Sequence, residues 1–371
     1  MFIPPVFCLL FSVKRIMESI LPRQKFLKEV QLVGYYSYES YIGGNIMKLS
    51  VLDQSVITKG QDAGAAFEET LRLAKFTEEL GYTRFWVAEH HNTNGMAGSA
   101  PQVLISHLAS MTNRMKIGSG GVLLPQYSPY KIAEDFKVLQ TLFPGRIDLG
   151  IGRSPGGSYE TRLALTDGLK KSMNEFPGQV ERLQHFLHGE PGVKAYPYVD
   201  TPPDIWILGI THRGARVAAE NGTAFTYGHF INPSNGKKAL DYYHDQFRPS
   251  AGQMSPLSNV CIFVVCAPTQ EEAERIAKSQ DIWLLEVERG IDTRIPSKEE
   301  ADSRIFTSRE VERVRENRRR AIVGTPEKVK EELLLLSEIY GTDEFMIITN
   351  VSDFEDKMRS YELLAGALFD R

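Results

Sequence analysis

From Met47 onward, short apolar runs alternate with stretches whose apolar residues recur every three or four positions. The runs Lys48–Leu52, Arg84–Ala88, Met115–Gly118, Ile147–Ile151, Asp204–Leu208, Thr223–Tyr227, Val260–Cys266 and Phe345–Thr349 predict strands. They are short and nearly continuously apolar, as parallel strands buried on both faces are. Between them the helical period takes over. Phe67–Leu80 carries one apolar row at Phe67, Leu71 and Ala74 and a second at Leu73, Phe76 and Leu80, with Gly81 placed as a left-handed cap. Pro101–Met111 follows, with Ser99 near its start. Ser128-Pro129 reads as an N-cap and N1 proline opening Tyr130–Phe143, which Pro144-Gly145 stops. Gly214–Glu220 ends at Asn221-Gly222. Thr269 opens another helix with Glu272 in the capping-box position. Thr325-Pro326 opens one that runs through Tyr340, and Asp353–Phe369 is the last.

This makes eight strand-to-helix units. The expected class is α/β, and eight such units favour a closed (β/α)8 TIM barrel over an open sheet. Two stretches break the rhythm and read as insertions after strands 4 and 7. Ser154–Pro203 is rich in Gly and Pro, and Trp283–Arg320 is charged and helix-prone. Loops on that face of a barrel carry function, so the second insertion is a candidate lid.

Composition narrows the function classes. The 371 residues are 42% hydrophobic and 24% charged, with a net charge of −4. A large core is possible, and no basic patch points to nucleic acid. No segment reaches the ~18 apolar residues of a membrane span. Ile3–Val13 faintly resembles a signal core, but Lys14 and Arg15 follow it, which is the wrong order. Cys8, Cys261 and Cys266 form no metal or disulfide spacing, and Cys261 and Cys266 read as buried thiols. A reducing cytoplasm is the expected setting.

The reactive residues of a barrel stand where its strands end. Here those positions are polar or glycine: Asp53-Gln54-Ser55, Glu89-His90-His91-Asn92, Ser119-Gly120-Gly121, Gly152-Arg153-Ser154, Gly209–Gly214 and Gly228-His229. His90 is the foremost catalytic candidate, because imidazole titrates near neutral pH and can shuttle a proton. A structural histidine stays open as the alternative. Glu89-His90-His91 lacks the i,i+4 spacing of a zinc helix, so no metal is expected. Ser119 and Gly120 clear the way for backbone to approach a ligand, or form a simple bulge. Arg153, with the helix start at Thr211 and Gly214, suits a phosphate-bearing cofactor; a surface arginine beside an ordinary cap is the alternative. Asp53, Glu89 and His229 share that rim and are expected in the substrate pocket. Gly150–Gly156 approaches the dinucleotide pattern GxGxxG, but its third glycine falls one place late and Pro155 holds that position.

The run Phe85–Asn92 (FWVAEHHN) resembles the W-x-x-E-H-H segment of the bacterial-luciferase-like flavin-dependent monooxygenases. So do Ile117–Leu124 (IGSGGVLL), Pro144–Arg153 (PGRIDLGIGR), and Leu208–Thr211 with Ala218-Ala219 and Gly222. Ile322–Val329 (IVGTPEKV) and Asp343-Glu344 complete an ordered set from Met47 to the end. The resemblance implies a barrel that binds reduced FMN (FMNH2) at its C-terminal face and uses O2 on a small organic substrate. It implies a separate flavin reductase as partner and a homodimer as one oligomeric state. It places His90 near the flavin. It implies that the turn at Ser119-Gly120 holds a non-proline cis peptide against the ring, and that Arg153, Thr211 and Gly214 serve the phosphate. Gly152 and Ile210 replace a cysteine and an acid of luciferase itself, so light emission is not implied. An F420-dependent hydride-transfer enzyme on the same barrel stays open. So does a non-catalytic flavin-binding barrel, against which the presence of His90 counts.

Barrel patterning starts abruptly at Met47, which leaves residues 1–46 as a non-barrel extension and 47–371 as the luciferase-like domain. The tandem codons of Gly43-Gly44 can read as a purine-rich ribosome signal just before Met47, so residues 1–46 are expected to be translated leader. The alternative is a true extension covering the barrel's base. In mass spectrometry of the protein from its native host, a peptide spanning Gln24–Tyr41 should be missing; its presence at normal abundance refutes the leader.

Overall fold

The computed structural model describes residues 47–369 apart from 155, 190 and 292. The expectations for residues 1–46, Cys8 among them, lie outside the described residues.

Nine strands form one parallel sheet: β1 (Lys48–Asp53), β2 (Arg84–Val87), β3 (Lys116–Ser119), β4 (Ile147–Gly152), β5 (Asp204–Gly209), β6 (Ala224–Gly228), β7 (Ser258–Cys266), β8 (Ala321–Gly324) and β9 (Glu344–Ile348). Strands β1 to β6 are neighbours in order. The first residues of β7 pair with β6, its middle pairs with β9, and β9 returns to β1. That closes an eight-stranded barrel, as the sequence pattern predicts. The ninth strand, β8, was not expected. It pairs with the far end of β7, Phe263 to Cys266, beyond the reach of β6.

Twelve helices connect the described strands: α1 (Ala63–Leu80), α2 (Pro101–Met111), α3 (Pro129–Leu142), α4 (Tyr159–Leu165), α5 (Phe176–His188), α6 (His212–Asn221), α7 (Gly236–Gln246), α8 (Gln270–Arg289), α9 (Lys298–Ser303), α10 (Ser308–Asn317), α11 (Pro326–Tyr340) and α12 (Phe354–Leu368). None among the described residues is long and apolar enough to cross a membrane. Local chemistry sets their ends. Asp62 accepts from the Ala65 N–H to start α1, and Gly81 closes it at φ +96°. Ser128 stands at the N-cap of α3 but makes no capping bond, so Pro129 at the first turn fixes that start.

The two insertions hold more structure than their composition suggested. The stretch from Ser154 to Pro203 contains α4 and α5, and α5 buries Phe176, Val180, Leu183 and Leu187 at helical spacing. In the second, Trp283 belongs to α8, so the break comes at Gly290, the left-handed cap of that helix. Ser297 and Thr307 then form full capping boxes with Glu300 and Glu310. The lid expectation meets a different geometry. Ile295 exchanges backbone hydrogen bonds with Ile57 and Lys59, and the Thr293 carbonyl accepts from the Trp283 indole. This segment is a strap fastened to the loop after β1, and none of the described residues of 290–320 lines the barrel mouth.

Strand alternation sorts the core into two layers. Residues such as Leu49, Val51, Phe85, Val87, Ile117 and Ile347 face the helices in a large apolar shell. Leu52, Trp86, Trp206, Cys261, Phe263 and Met346 fill the barrel. Asp53 follows Leu52 and so faces outward. There it meets Lys357 of α12 at 2.5 Å and accepts from the Ser55 N–H and the Thr70 hydroxyl. Burial pushes the Asp53 carboxyl up, but Lys357 and the hydrogen bonds outweigh it and hold the group below its ordinary value. A lowered folded-state value means the pair stabilises the protein above the unfolded carboxylate's pKa, and that contribution is lost as pH falls through the folded one. Lys357→Met should therefore cost ~3–5 kcal/mol near neutral pH by stranding a buried charge. Adding Asp53→Asn should recover part of the loss. Denaturant titrations check this, and an unchanged midpoint for the single variant would refute it.

Candidate active site

A cavity of about 440 Å³ opens at the C-terminal ends of the strands. Every barrel strand contributes to it. Leu52 and Gln54 come from β1 and its end, Ala88 to His91 follow β2, Gly120 and Gly121 follow β3, and Gly152 ends β4. Leu208 to Ile210 come from β5, Thr226 and Gly228 from β6, Cys261 from β7 and Met346 from β9. Leu123, Phe230, Ile231 and the turn at Ser154, Gly156 and Gly157 complete the wall. Most of this surface is apolar or bare backbone.

The bare wall has a steric origin. The peptide between Gly120 and Gly121 is cis and contains no proline, one residue further on than the sequence resemblance placed it. A Cβ on Gly121 would stand 2.7 Å from the Gly150 carbonyl oxygen, so β3 and β4 approach too closely there for any side chain. Gly152 differs, because a Cβ there meets nothing nearer than 4.0 Å.

His90 lines the cavity with its N–H anchored on the Gly98 carbonyl. Burial, and then the neighbouring His91 ring, hold its imidazole down at about 4, so it is neutral at neutral pH. Its Nε2 lies 3.4 Å from Gln54 Nε2. Glu89 is a buried acceptor. It takes hydrogen bonds from the Leu123 N–H at 2.9 Å, the Tyr127 hydroxyl at 2.5 Å and His91 Nε2 at 2.7 Å. Burial and then Glu89 push the Tyr127 phenol above its ordinary value, which keeps it a donor. His91 is thereby held by a carboxylate while its ring lines the cavity.

The other expected site residues fall into two groups. Arg153 and Thr211 stand on the rim. Gly152 pairs with Leu208, so the residues that follow each strand are near neighbours. Arg153 is exposed, and among the described residues its side chain makes no hydrogen bond or ion pair. Thr211 is the N-cap of α6 and accepts from the Arg213 N–H. The rest do not line the cavity. Ser119 is fully buried on the outer side of β3 and donates to the Gly150 carbonyl. Gly214 packs on Gly209, and its N–H donates to the Thr211 carbonyl, so that amide is not free for a phosphate. Asp53 faces Lys357, away from the mouth. His229 follows inward-facing Gly228 and turns out of the barrel, between the Tyr340 hydroxyl at 2.8 Å and the Arg319 carbonyl. Burial holds its ring down at about 4, so it stays neutral there.

Gln54 and His91 stood among the expected strand-end positions but were given no role, and Tyr127 was not named. For Gln54 the signal was available: with Leu52 inward, period two puts Gln54 inward and Asp53 outward. Tyr127 reaches Glu89 across 38 residues of chain, which no local pattern reveals.

Comparison with known proteins agrees with the geometry. A family model described as luciferase-like monooxygenase matches residues 47–343. Uncharacterized protein YceB of Bacillus subtilis (strain 168) is 48% identical, covering 86% of this chain and 99% of its own. The N-acetyl-S-alkylcysteine monooxygenase of the same organism is 36% identical, covering 87% and 98%. Among solved structures, apo-MsnO8 superposes with a TM-score of 0.80 at 32% identity, covering 88% of this chain and 100% of that one. At the level of fold alone, the barrel recurs in the FMN complex of the oxygenating constituent of 3,6-diketocamphane monooxygenase from Pseudomonas putida (18% identity, TM-score 0.67, covering 87% and 98%). It recurs likewise in an F420-dependent secondary alcohol dehydrogenase (14%, 0.61, 88% and 100%).

The two glycines should respond differently to a methyl group. Gly121→Ala forces backbone apart and should cost ~1–3 kcal/mol, a clear drop in Tm. Gly152→Ala should leave Tm unchanged, since its methyl enters the open cavity. Paired melting curves check this. An equal loss of Tm in both variants would show that the wall is not held by the β3–β4 approach.

Proposed function

Because this chain belongs to the luciferase-like monooxygenase family, we propose that it uses reduced FMN and O2 to oxygenate a small organic substrate. The observation that carries this reading is the side-chain-free wall of Gly120, Gly121 and Gly152 in the cavity that His90 lines. A planar ring system can lie flat against such backbone. Arg153, as a fork of donors, and Thr211, by its hydroxyl and the positive end of the α6 dipole, are the groups for the phosphate. When bound, reduced FMN supplies the electrons that activate O2.

The chain's own residues do the remaining work. Leu52, Leu208, Phe230 and Met346 keep water from the reacting centre. Neutral His90 exchanges a proton with the reacting groups, and His91 is held in place by Glu89. Flavin reduction is assigned to a separate reductase, since of the β4 glycines Gly150 serves strand packing and Gly152 the cavity wall. The N-acetyl-S-alkylcysteines for which the 36% identical relative is named are the first substrates to offer.

With reduced FMN and isotopically labelled dioxygen, one labelled oxygen atom should appear in the product. Binding of F420 in preference to FMN, with no label transferred, would replace this reading with hydride transfer. Arg153→Ala should weaken FMN binding but not riboflavin binding. A charge-assisted contact contributes ~1.5–3 kcal/mol, and exposure of the guanidinium favours the low end, roughly tenfold. Equal loss for both flavins would remove Arg153 from the phosphate site. His90→Ala should leave FMN binding and Tm in place but slow turnover ~10²–10⁴-fold. Wild-type turnover at saturating reduced flavin would exclude a proton-transfer role for His90.

A further inference from the structure

Three polar side chains follow one another around the rim on adjacent strands. Asn350 lies just past β9, Gln54 just past β1 and His90 just past β2. All three share the inward parity of their strands, continuing Glu344, Met346 and Ile348, then Leu52, then Trp86 and Ala88. Asn350 and Gln54 are almost wholly buried, at 1% and 6% exposure. Asn350 Nδ2 donates to Gln54 Oε1 at 2.7 Å. That commits the carbonyl end of the Gln54 amide and turns its NH2 toward His90 Nε2, at 3.4 Å.

We infer that Asn350 and Gln54 are positioning residues that set the tautomer of His90. An amide NH2 can only donate, so Nε2 must accept and the ring proton must sit on Nδ1. Burial keeps the ring neutral, so it carries one proton and the choice of nitrogen matters. Reversing both amides would reverse the ring, with Gln54 accepting and Nε2 protonated. One observable therefore separates the two polarities. The relay gives His90 a fixed donor at Nδ1 and removes Nε2 from the exchange of protons. Its consequence for turnover rests on the role proposed for His90 above; the tautomer itself does not.

The test is ¹⁵N NMR of the full-length protein with labelled histidine, His90 being assigned by its loss in His90→Gln. In the wild type at neutral pH, Nε2 should show the shift of an unprotonated ring nitrogen. Asn350→Asp places an acceptor-only carboxylate behind Gln54. The amide must then turn its NH2 to residue 350 and present its oxygen to the ring, moving the proton to Nε2. Gln54→Glu should produce the same inversion without touching Asn350, and carries the test if the first variant does not fold. Unchanged signals from the other seven histidines and an unchanged Tm show that the fold is intact. A wild-type ring protonated at Nε2, or a folded variant whose tautomer does not change, overturns the relay. Inversion together with a ~10²–10⁴-fold loss of turnover, matching His90→Ala, supports both relay and role. Inversion with full turnover leaves the relay standing and removes His90 from the proposed reaction.

Discussion

A charged cluster at the bottom of the barrel holds the strands whose upper ends make the site. Arg84 on β2 donates to Asp148 on β4 and to Glu344 on β9, each at 2.8 Å, and stacks over Trp206 on β5 at 4.5 Å. Ser50 on β1 and Asn259 on β7 also donate to Glu344, and the Trp86 indole donates to Asp148. Six of the eight barrel strands thus meet through one guanidinium and two carboxylates. Charges buried this deeply stabilise little in themselves, because desolvation offsets their attraction. Losing one partner is a different matter, since the others are then stranded. The arrangement therefore serves to fix register: a strand that slips by one residue would turn its charge outward and leave another unpaired.

That register carries upward. With Asp148 inward, Gly150 and Gly152 are inward too, Gly150 against the Ser119 backbone and Gly152 in the cavity wall. With Glu344 inward, Met346 reaches the cavity and Asn350 reaches Gln54. With Arg84 inward, Trp86 packs edge-on against Trp206 at 5.3 Å, and His90 arrives at the mouth. The pocket is thus the third tier of one stack, above the aromatic tier and the charged tier.

Much of this was legible in the sequence because a period of two on buried strands and 3.6 on helices leaves a strong imprint. Helix α2 begins and ends where its pattern does, and the mouth residues stand at strand ends as expected. What was not legible has physical causes. Strand β8 is four residues long and earns its place by pairing with β7, a tertiary fact. Helix α5 carried its signal in Phe176, Val180, Leu183 and Leu187, hidden among glycines and prolines. Asp53 and His229 stood at the right height but on the wrong side of the wall, because strand-end position alone does not say which way a residue faces. Gly214 suited a phosphate by its place at a helix start, yet its amide closes on Thr211 and its bareness serves the contact with Gly209.

The adjacent histidines show how far alternation can divide neighbours. His91 is fastened to an acceptor-only carboxylate, which favours a proton on its bonded nitrogen, Nε2. His90 faces an amide donor, which favours a lone pair on that same atom. Charge on His91 also works against charge on His90, in the same direction as burial. The two rings are thus held with opposite polarity at the same nitrogen, although a single peptide bond separates them. A largely apolar cavity cannot hold two imidazolium groups cheaply. Splitting the pair, with the carboxylate bonded to only one of them, leaves neutral His90 at the apolar wall and fastens His91 to buried Glu89.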